Sequence, residues 1–160
     1  MIRIGNGYDV HRLVSDRPLV IGGTEINWHL GLDGHSDADV LLHAICDACL
    51  GALAKGDIGQ HFPPNDMQYH NMNSRKFVRR VGTMLEQDGW AVINMDCTIV
   101  AEKPKMAPHI PKMKEHIASD LNLRSNQVNI KATTTEGLGF EGQQKGIAAY
   151  VVVLIERIVE

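Results

Sequence analysis

The sequence predicts an α+β fold in a single domain over residues 1–160: a mixed four-stranded β-sheet with helices packed on one face, plus a small β-hairpin. Strand-like and helix-like segments alternate after residue 90, a pattern typical of a mixed sheet covered by helices. The apolar segment near the end of the chain, Ile147–Ile155, is too short to span a membrane and indicates a strand. A length of 160 residues is enough for one domain with its own core.

The first elements are a strand and a tight hairpin. Alternating apolar residues predict a strand over Met1–Arg12. The Gly-Gly pair within Ile21–Thr24 predicts a hairpin turn, with its arms near Leu19 and Ile26.

The helix predicted over Ser36–Leu53 is buried nearly all round. Ser36 or Asp37 can serve as its N-cap, and Asp37 and Asp39 complement the positive end of the helix dipole. Between Val40 and Leu53, every residue is apolar except His43, Asp47 and Gly51. A helix with so few polar residues packs inside a protein.

The rest of the chain predicts three strands and two helices after one long loop. The polar stretch Lys55–Asn73 contains two glycines and two prolines, and so long a loop inside a compact domain is usually functional or mobile. The elements that follow are a helix from Asn73 or Ser74 to Gly89, strand Trp90–Val100, a helix after the bend Lys103–Pro108, a strand marked by Val128, Ile130 and Ala132, and strand Ile147–Ile158. Strand Trp90–Val100 alternates, with Asn94, Asp96 and Thr98 on one face and Ile93, Met95, Cys97 and Ile99 on the other.

The final strand suggests an oligomer. Ala148–Ile155 is apolar at consecutive positions, so both of its faces need cover. Helices can shield one face of the sheet, and we expect the other face to pack against other subunits. The alternative is that the hairpin and loops of the same chain cover it.

Composition excludes several classes of function. A formal charge of −3 offers no electrostatic footprint for nucleic acid or an anionic membrane, and with 5% aromatic residues a base-stacking surface is not expected. No signal or transit peptide is visible, so we expect a cytoplasmic protein, or a stromal one if the chain is a processed plastid protein. Three cysteines indicate a reducing compartment. Cys46 and Cys49 form a CxxC pattern, but within an apolar helix they are expected to be two buried core residues.

The strongest functional signal joins the first strand to the first helix. Asp9 and His11 are two residues apart on a strand, so they project to the same face. With His43 from the helix, they form a three-ligand, zinc-type site whose open position could take a substrate. The alternative is that His43 is a core histidine bonded to Asp39 or Asp47, with Asp9 and His11 a surface pair.

Four further segments concentrate small, polar and glycine residues at the ends of predicted elements: Asp33–Asp37, Asp57–Gly59, Ala101–Lys105 and Thr133–Gly139. Together they suggest a site for phosphate or a nucleotide. Each has a simpler explanation, since they could be a helix cap, a solvated turn or ordinary strand residues. Neither a Walker-type loop nor a GxGxxG loop is present.

Five motifs together resemble one enzyme family over essentially the whole chain. They are Gly7–Arg12 (GYDVHR), Asp33–Val40 (DGHSDADV), Gly56–Gly59 (GDIG), Ala101–Lys105 (AEKPK) and Lys131–Glu136 (KATTTE). In this order they resemble the 2-C-methyl-D-erythritol 2,4-cyclodiphosphate synthases of the non-mevalonate isoprenoid pathway. The resemblance implies a stand-alone enzyme that cyclises 4-diphosphocytidyl-2-C-methyl-D-erythritol 2-phosphate and releases CMP.

The resemblance also implies an assembly and a set of site residues. It implies a homotrimer, with the open sheet face toward the trimer centre and active sites between neighbouring subunits. Asp9, His11 and His43 would bind Zn²⁺ or another divalent transition metal, while Glu136 would ligate a second cation, Mg²⁺ or Mn²⁺. His35 and Thr134 would be catalytic, steadying charge in the transition state. The implied substrate-binding residues are Asp9, His11, His35, Ser36, Asp57, Ile58, Gly59, Phe62, Pro63, Pro64, Asn65, Asp66, Ala101, Glu102, Lys103, Pro104, Lys105, Met106, Ala107, Thr133, Thr134, Thr135, Glu136, Phe140 and Gln143.

Two other functions are compatible with the same ligands. A zinc phosphohydrolase would deliver metal-bound hydroxide to a phosphate ester. A metal-stabilised trimeric binding protein would use the ion for folding alone, without turnover.

Overall fold

The computed structural model describes residues 1–158, in which the chain forms seven strands and five helices. In chain order they are β1 (Ile2–Val14), β2 (Leu19–Ile21), β3 (Thr24–Ile26), β4 (Gly31–Leu32), α1 (Val40–Ala52), α2 (Ile58–His61), α3 (Arg75–Gln87), β5 (Trp90–Val100), α4 (Ile110–Asp120), β6 (Val128–Thr133), α5 (Gly139–Gly142) and β7 (Gly146–Arg157). Single 3₁₀ turns lie at Met67–Tyr69, Ala107–His109 and Ser125–Gln127. The predicted α+β class is confirmed.

The main sheet has the strand order β4-β1-β7-β5-β6 in the described part of the chain. Its four long strands were predicted; the fifth, β4, is only two residues long and pairs with Leu13 and Val14. A segment of two residues carries no periodicity, so the sequence could not reveal it. Strands β5 and β6 are parallel, and the other pairs are antiparallel. The predicted hairpin forms a separate two-stranded sheet in which Leu19 pairs with Ile26.

Two glycines let helix α1 lie directly on strand β1. A methyl group at Gly7 would overlap the carbonyl oxygen of Ala44, and one at Gly5 would overlap that of Ala48. Side chains larger than hydrogen would therefore push the helix away from the strand. This close approach brings residue 43 of the helix next to residue 9 of the strand.

Helix α1 begins later than predicted. Its N-cap is Asp39, whose carboxylate accepts the backbone N–H of Leu42, so the expected caps Ser36 and Asp37 were wrong. The Asp39 carboxylate also accepts the N–H groups of Gly22 and Gly23, at 2.9 and 2.7 Å. Asp39 therefore joins the hairpin turn to the helix, which is a tertiary contact that local sequence does not reveal.

A bulge changes the alternation of strand β5. The pairing with β7 shifts between Val92 and Asn94, so the buried residues are Trp90 and Val92 before the shift and Met95, Cys97 and Ile99 after it. The prediction that Ile93 lies on the core face was wrong, because Ile93 is the extra residue of the bulge and is half-buried.

The stretch Lys55–Asn73 is more regular than expected, since it contains α2 and a 3₁₀ turn. Asp57 caps α2 by accepting the N–H of Gln60, and Asp66 caps the turn by accepting that of Gln68. In residues 1–158, no helix is long and apolar enough to cross a membrane.

The sheet face opposite α1 is apolar and open within the chain. Tyr8, Val10, Tyr150 and Val152 are between 40% and 49% exposed, so the hairpin and loops do not cover this face. The tyrosine rings contact each other with centroids 4.9 Å apart. Within residues 1–158, the expected intramolecular alternative is therefore wrong.

Candidate active site

Asp9, His11 and His43 come together at the junction of β1 and α1. Asp9 Oδ2 lies 2.9 Å from His11 Nε2 and 3.1 Å from His43 Nδ1, and the two histidine nitrogens are 3.1 Å apart. Asp9 and His11 pair with Ala149 and Ile147, whose side chains are fully buried, so both ligands point to the helix-covered face. Among residues 1–158, these three form the group able to hold a metal ion.

Hydrogen bonds on the far side of each ring prepare the histidines for a metal. His11 Nδ1 lies 2.7 Å from the carbonyl oxygen of Asp33, which can only accept, so Nδ1 carries the proton and Nε2 is free. His43 Nε2 lies 2.8 Å from Ser74 Oγ and 3.2 Å from Ser36 Oγ, which leaves Nδ1 to face the other ligands. Metal-bound histidines usually donate their second N–H in this way.

The simpler reading of His43 was wrong about its partners. The Asp39 carboxylate caps α1, and that of Asp47 accepts the N–H of Ile58 at 2.7 Å. Neither side chain bonds the His43 ring; Asp9, Ser36 and Ser74 do so instead.

The three donors fit a small divalent ion. Tetrahedral ligands at about 2.0–2.1 Å from zinc stand roughly 3.3 Å apart. The observed triangle, with edges of 2.9–3.1 Å, needs to open by only a few tenths of an ångström. Two imidazoles and one carboxylate are the donor set of catalytic zinc sites that keep a position for substrate.

Electrostatics favour the ligating form of Asp9. Burial alone would raise the pKa of Asp9, but its contacts with His11 and His43 lower it to about 2. The carboxylate is therefore ionised at neutral pH. Burial alone would lower the pKa of His11, but the hydrogen bond and charge of Asp9 outweigh it and raise that pKa.

A cleft of about 200 Å³ opens above the three ligands. Of the residues expected to contact substrate, it is lined by Asp9, His11, His35, Ser36, Ile58, Gly59, Phe62 and Pro64, together with the ligand His43. Two further residues line the cleft and were not predicted from the sequence, Tyr69 and Phe77. Phe62 stacks on Phe77 with centroids 4.5 Å apart, and Tyr69 packs edge-on against Phe62. These rings give the cleft an apolar aromatic wall.

Arg17 holds the segment that carries His35 and Ser36, a role that no local sequence pattern indicates. Its guanidinium donates to the carbonyl oxygens of Gly34 and Ser36, at 2.9 and 2.8 Å. From the other side, Asn71 N donates to His35 O at 2.8 Å. The ring nitrogen His35 Nε2 lies 3.0 Å from Asp66 O. The candidate phosphate contacts are therefore fixed from two directions.

A second group of candidate residues gathers elsewhere in the chain. A pocket of about 220 Å³ is lined by Ala101, Glu102, Pro104, Lys105, Met106, Ala107, Ala132, Thr133 and Thr134. Ala132 lies three strands from Asp9, in the row Asp9–Ala149–Ile99–Ala132. With about 4.8 Å between strands, the two sites are roughly 14 Å apart across the sheet.

The other expected site residues are scattered. Glu136 is exposed on the turn after β6, with a left-handed backbone at φ 54, and it lies outside the metal-capable group of the described residues. Phe140 lines a third hollow beside His11, Arg12 and Lys145. The remaining residues line none of these three pockets: Asp57, Pro63, Asn65, Asp66, Lys103, Thr135 and Gln143.

Comparison with known sequences gives one consistent result. The sequence model of the YgbB family matches residues 2–156. The chain is 60% identical over 156 residues to the 2-C-methyl-D-erythritol 2,4-cyclodiphosphate synthase of Syntrophomonas wolfei, covering 98% of this chain and 99% of that protein. It is 61% identical over 155 residues to the enzyme of the same name from Geobacter sulfurreducens, covering 97% and 99%.

Solved structures agree with the fold. A CDP complex of IspF from Plasmodium falciparum aligns with a TM-score of 0.88 and 32% identity, over 99% of this chain and 97% of that one. The bifunctional IspDF of Campylobacter jejuni aligns with a TM-score of 0.95 and 39% identity over 99% of this chain, which spans 43% of the larger protein.

Proposed function

The chain belongs to the YgbB family, and we propose that it converts 4-diphosphocytidyl-2-C-methyl-D-erythritol 2-phosphate to 2-C-methyl-D-erythritol 2,4-cyclodiphosphate and CMP. The curated relatives that bear the synthase name match nearly the full chain. The observation that carries the proposal is the meeting of Asp9, His11 and His43 beneath a cleft lined by His35 and Ser36. This site can hold a polyphosphate against a cation.

The reaction needs positioning more than a strong base. The 2-phosphate of the substrate attacks the β-phosphorus, CMP leaves, and an eight-membered cyclic diphosphate forms. A phosphate monoester is already largely ionised near neutral pH, so no Ser–His nucleophile is required. Holding the two phosphates in line can remove roughly 7–11 kcal/mol of the barrier.

The residues of the cleft divide this task. His35 and Ser36, held by Arg17, bind the phosphates. His35 stabilises the charge that spreads over the transferring phosphoryl group, together with Thr134 from the second pocket of a neighbouring subunit. Ile58, Gly59 and the Phe62–Asp66 segment hold the methylerythritol end. The aromatic wall excludes water, which would otherwise compete for the β-phosphorus.

Two cations complete the proposed site. Asp9, His11 and His43 would hold zinc or another divalent transition metal, which would supply a Lewis acid and a template for the phosphates. Glu136 would hold Mg²⁺ or Mn²⁺, which would neutralise part of the charge of the substrate diphosphate.

The second pocket receives the cytidine. Ala101–Ala107, Thr133 and Thr134 offer backbone groups and hydroxyls, and the CDP complex of the Plasmodium falciparum relative supports a cytidine nucleotide ligand. We further propose a homotrimer, in which the metal site of one subunit faces the cytidine pocket of its neighbour. The exposed apolar face over Tyr8, Val10, Tyr150 and Val152 supports such an assembly.

A cytoplasmic location is part of the proposal. Its support is that the three cysteines are free and buried, as expected in a reducing compartment. We propose that the partners of this chain are its small-molecule substrate and other copies of itself, rather than nucleic acid or a membrane.

Turnover in ¹⁸O-labelled water separates cyclisation from hydrolysis. If the 2-phosphate is the nucleophile, CMP is released and neither CMP nor the cyclic product contains label by mass spectrometry. A zinc phosphohydrolase would place ¹⁸O in CMP or in an open-chain phosphate, and that result would reject the proposal. A binding protein without catalysis would release no CMP above the His43→Ala control.

A thermal-shift comparison tests the cytidine pocket alone. CMP should raise the melting temperature more than AMP at equal concentration, because the Ala101–Ala107 segment is expected to select the base. Equal shifts would remove the support for base-selective binding.

A further inference from the structure

We propose that Ser74 and Asp37 are positioning residues for His43, because they keep a proton on its Nε2 and so favour the ring form that offers Nδ1 to the metal. This inference rests on the proposed metal site but concerns residues outside its three ligands. His43 Nε2 lies 2.8 Å from Ser74 Oγ, and Ser74 Oγ is in turn hydrogen-bonded to Asp37 Oδ1. Ser74 is completely buried, so the protein itself must satisfy its hydroxyl.

The direction of this chain of hydrogen bonds follows from its end. A carboxylate accepts hydrogen bonds and cannot donate them. Ser74 has a single hydroxyl proton, which therefore goes to Asp37. The lone pairs of Ser74 Oγ are left to accept from His43, so Nε2 carries a proton. Asp9 Oδ2, 3.1 Å from His43 Nδ1, can accept from that nitrogen as well when zinc is absent. Only a ring that has its proton on Nε2 alone offers the Nδ1 lone pair to the metal beside Asp9 and His11.

The geometry of helix α3 supports a role beyond capping. Ser74 directly precedes α3 and is its N-cap residue, yet its side chain makes no capping hydrogen bond. The hydroxyl turns instead toward His43 and Asp37. Helix α3 therefore lacks the stabilisation that a serine N-cap side chain usually provides.

Two competing explanations make different predictions. Ser36 Oγ also lies near His43 Nε2, but at 3.2 Å, and it accepts the N–H of Ala38. If Ser36 were the acceptor that matters, loss of the Ser74 hydroxyl would leave the tautomer unchanged. Alternatively, Asp37 could serve only to join the segment before α1 to the residues before α3. Its carboxylate accepts Ser74 N at 2.9 Å, and its own N–H donates to Met72 O at 3.1 Å.

Asp37→Ala gives a signature that a loss of loop contacts alone would not produce. Without the carboxylate, the Ser74 hydroxyl loses its acceptor at Asp37 and can donate its proton to His43 Nε2. The chain is then reversed, and the zinc-free His43 carries its proton on Nδ1, where it faces Asp9 and where the metal should bind.

The first measurement is zinc affinity, taken by competition of the zinc-free protein with a chelating dye. Ser74→Ala should weaken binding by about 10–100-fold, the usual effect of removing the partner of a metal-bound histidine. Asp37→Ala should weaken it in the same direction. Ser119→Ala, the same change at an exposed serine of α4, is the matched control and should leave the affinity unchanged.

The second measurement is the His43 tautomer, read from the ¹⁵N shifts of the ring in zinc-free protein and from the nitrogen that binds zinc in loaded protein. In the wild type we expect a proton on Nε2 with and without zinc, and zinc on Nδ1 in the loaded protein. In zinc-free Asp37→Ala we expect the proton on Nδ1 alone, and in Ser74→Ala a mixture. Ser74→Thr keeps a hydroxyl and should restore the wild-type tautomer if its extra methyl is accommodated. Circular dichroism of each zinc-free variant reports folding separately.

Three outcomes would overturn the inference. These are wild-type affinity in folded Ser74→Ala and Asp37→Ala, an unchanged tautomer in both, or a wild-type His43 that is protonated on Nδ1 alone. The wild-type spectrum decides the matter even if both variants fail to fold. If instead wild type and His43→Ala bind zinc equally, the proposed metal site itself is wrong, which is a different result from an unaffected Ser74 variant.

Discussion

Gly7→Ala tests whether the close contact between α1 and β1 creates the metal site. The new methyl would overlap the carbonyl oxygen of Ala44 and lie 2.8 Å from its carbon atom. Carbon atoms pack at about 3.5–4.0 Å, so the helix must retreat by about 1 Å. Ala44 is the neighbour of His43, and metal ligands tolerate displacements of only about 0.2 Å.

Two losses are expected from this variant. Overpacking against backbone costs about 3 kcal/mol, at the upper end of the usual range. For a chain of this length that corresponds to a fall of about 6–12 °C in the melting temperature of the zinc-free protein. Zinc affinity should fall at least tenfold, or about 1.4 kcal/mol, because His43 no longer reaches Asp9 and His11 together.

Gly51→Ala is the matched control on the opposite side of the contact. Its methyl would meet only Asn6 O, at 3.9 Å, and Ala is the better helix residue. This variant should gain about 0.5–1 kcal/mol, which raises the melting temperature by about 1–4 °C. Gly5→Ala overlaps Ala48 O, farther along α1 from His43, so it should destabilise the fold but affect zinc less.

The assays are thermal unfolding by circular dichroism after zinc removal, followed by zinc titration. Zinc is removed first because bound metal would itself raise the melting temperature. The reasoning would be refuted if Gly7→Ala matched the wild type in both measurements, or if Gly7→Ala and Gly51→Ala shifted the melting temperature equally.

Four further changes test other parts of the structure. Asp39→Asn turns an oxygen that accepts a backbone N–H into an NH₂ group, so we expect a loss of about 1–3 kcal/mol in the free energy of unfolding by urea denaturation, and an unchanged midpoint would contradict it. Val152→Asp places a charge on the open sheet face and should reduce the particle mass in light scattering; a variant of wild-type mass would argue against this face as the interface. Burial raises the pKa of Cys49 and Cys97 to about 12, so their thiols stay protonated at pH 8 and should react with a disulfide reagent only after unfolding, whereas rapid labelling of folded protein would contradict this. His43→Ala should give a folded trimer with little zinc and no CMP release, and an unfolded chain would favour a purely structural metal.

Sequence periodicity predicted the long elements well because their signals are local. The alternation in β1 and β5 and the apolar run of α1 each extend over many residues. The predictions failed where a residue distant in sequence determines the local structure. Ser36, Asp37 and Asp39 are all good N-caps, and only the N–H groups of Gly22 and Gly23 make Asp39 the one that is used. The bulge at Ile93 likewise depends on pairing with β7.

The same distinction applies to the site. Asp9 and His11 were found because a spacing of two on a strand is a local rule, and His43 because it is one of few polar residues in an apolar helix. Ser74, Arg17 and Phe77 escaped notice as site residues. Ser74 looked like an ordinary helix start, although its hydroxyl faces a residue 31 positions away. Contacts of that range have no sequence spacing that would reveal them.

Strand β1 links the metal site to the proposed subunit interface. Its residues alternate, so Asp9 and His11 face α1 while Tyr8 and Val10 face the open side of the sheet. A neighbouring subunit that fixes the outer side chains also restrains the strand that carries two ligands. Linkage then requires that zinc binding and assembly strengthen each other by the same factor. The proposed apolar interface extends over both β1 and β7. Its area is far larger than the part of the strand that the three metal ligands restrain. Assembly should therefore survive loss of zinc in His43→Ala, while Val152→Asp, which leaves every ligand in place, should weaken zinc binding as well as the trimer.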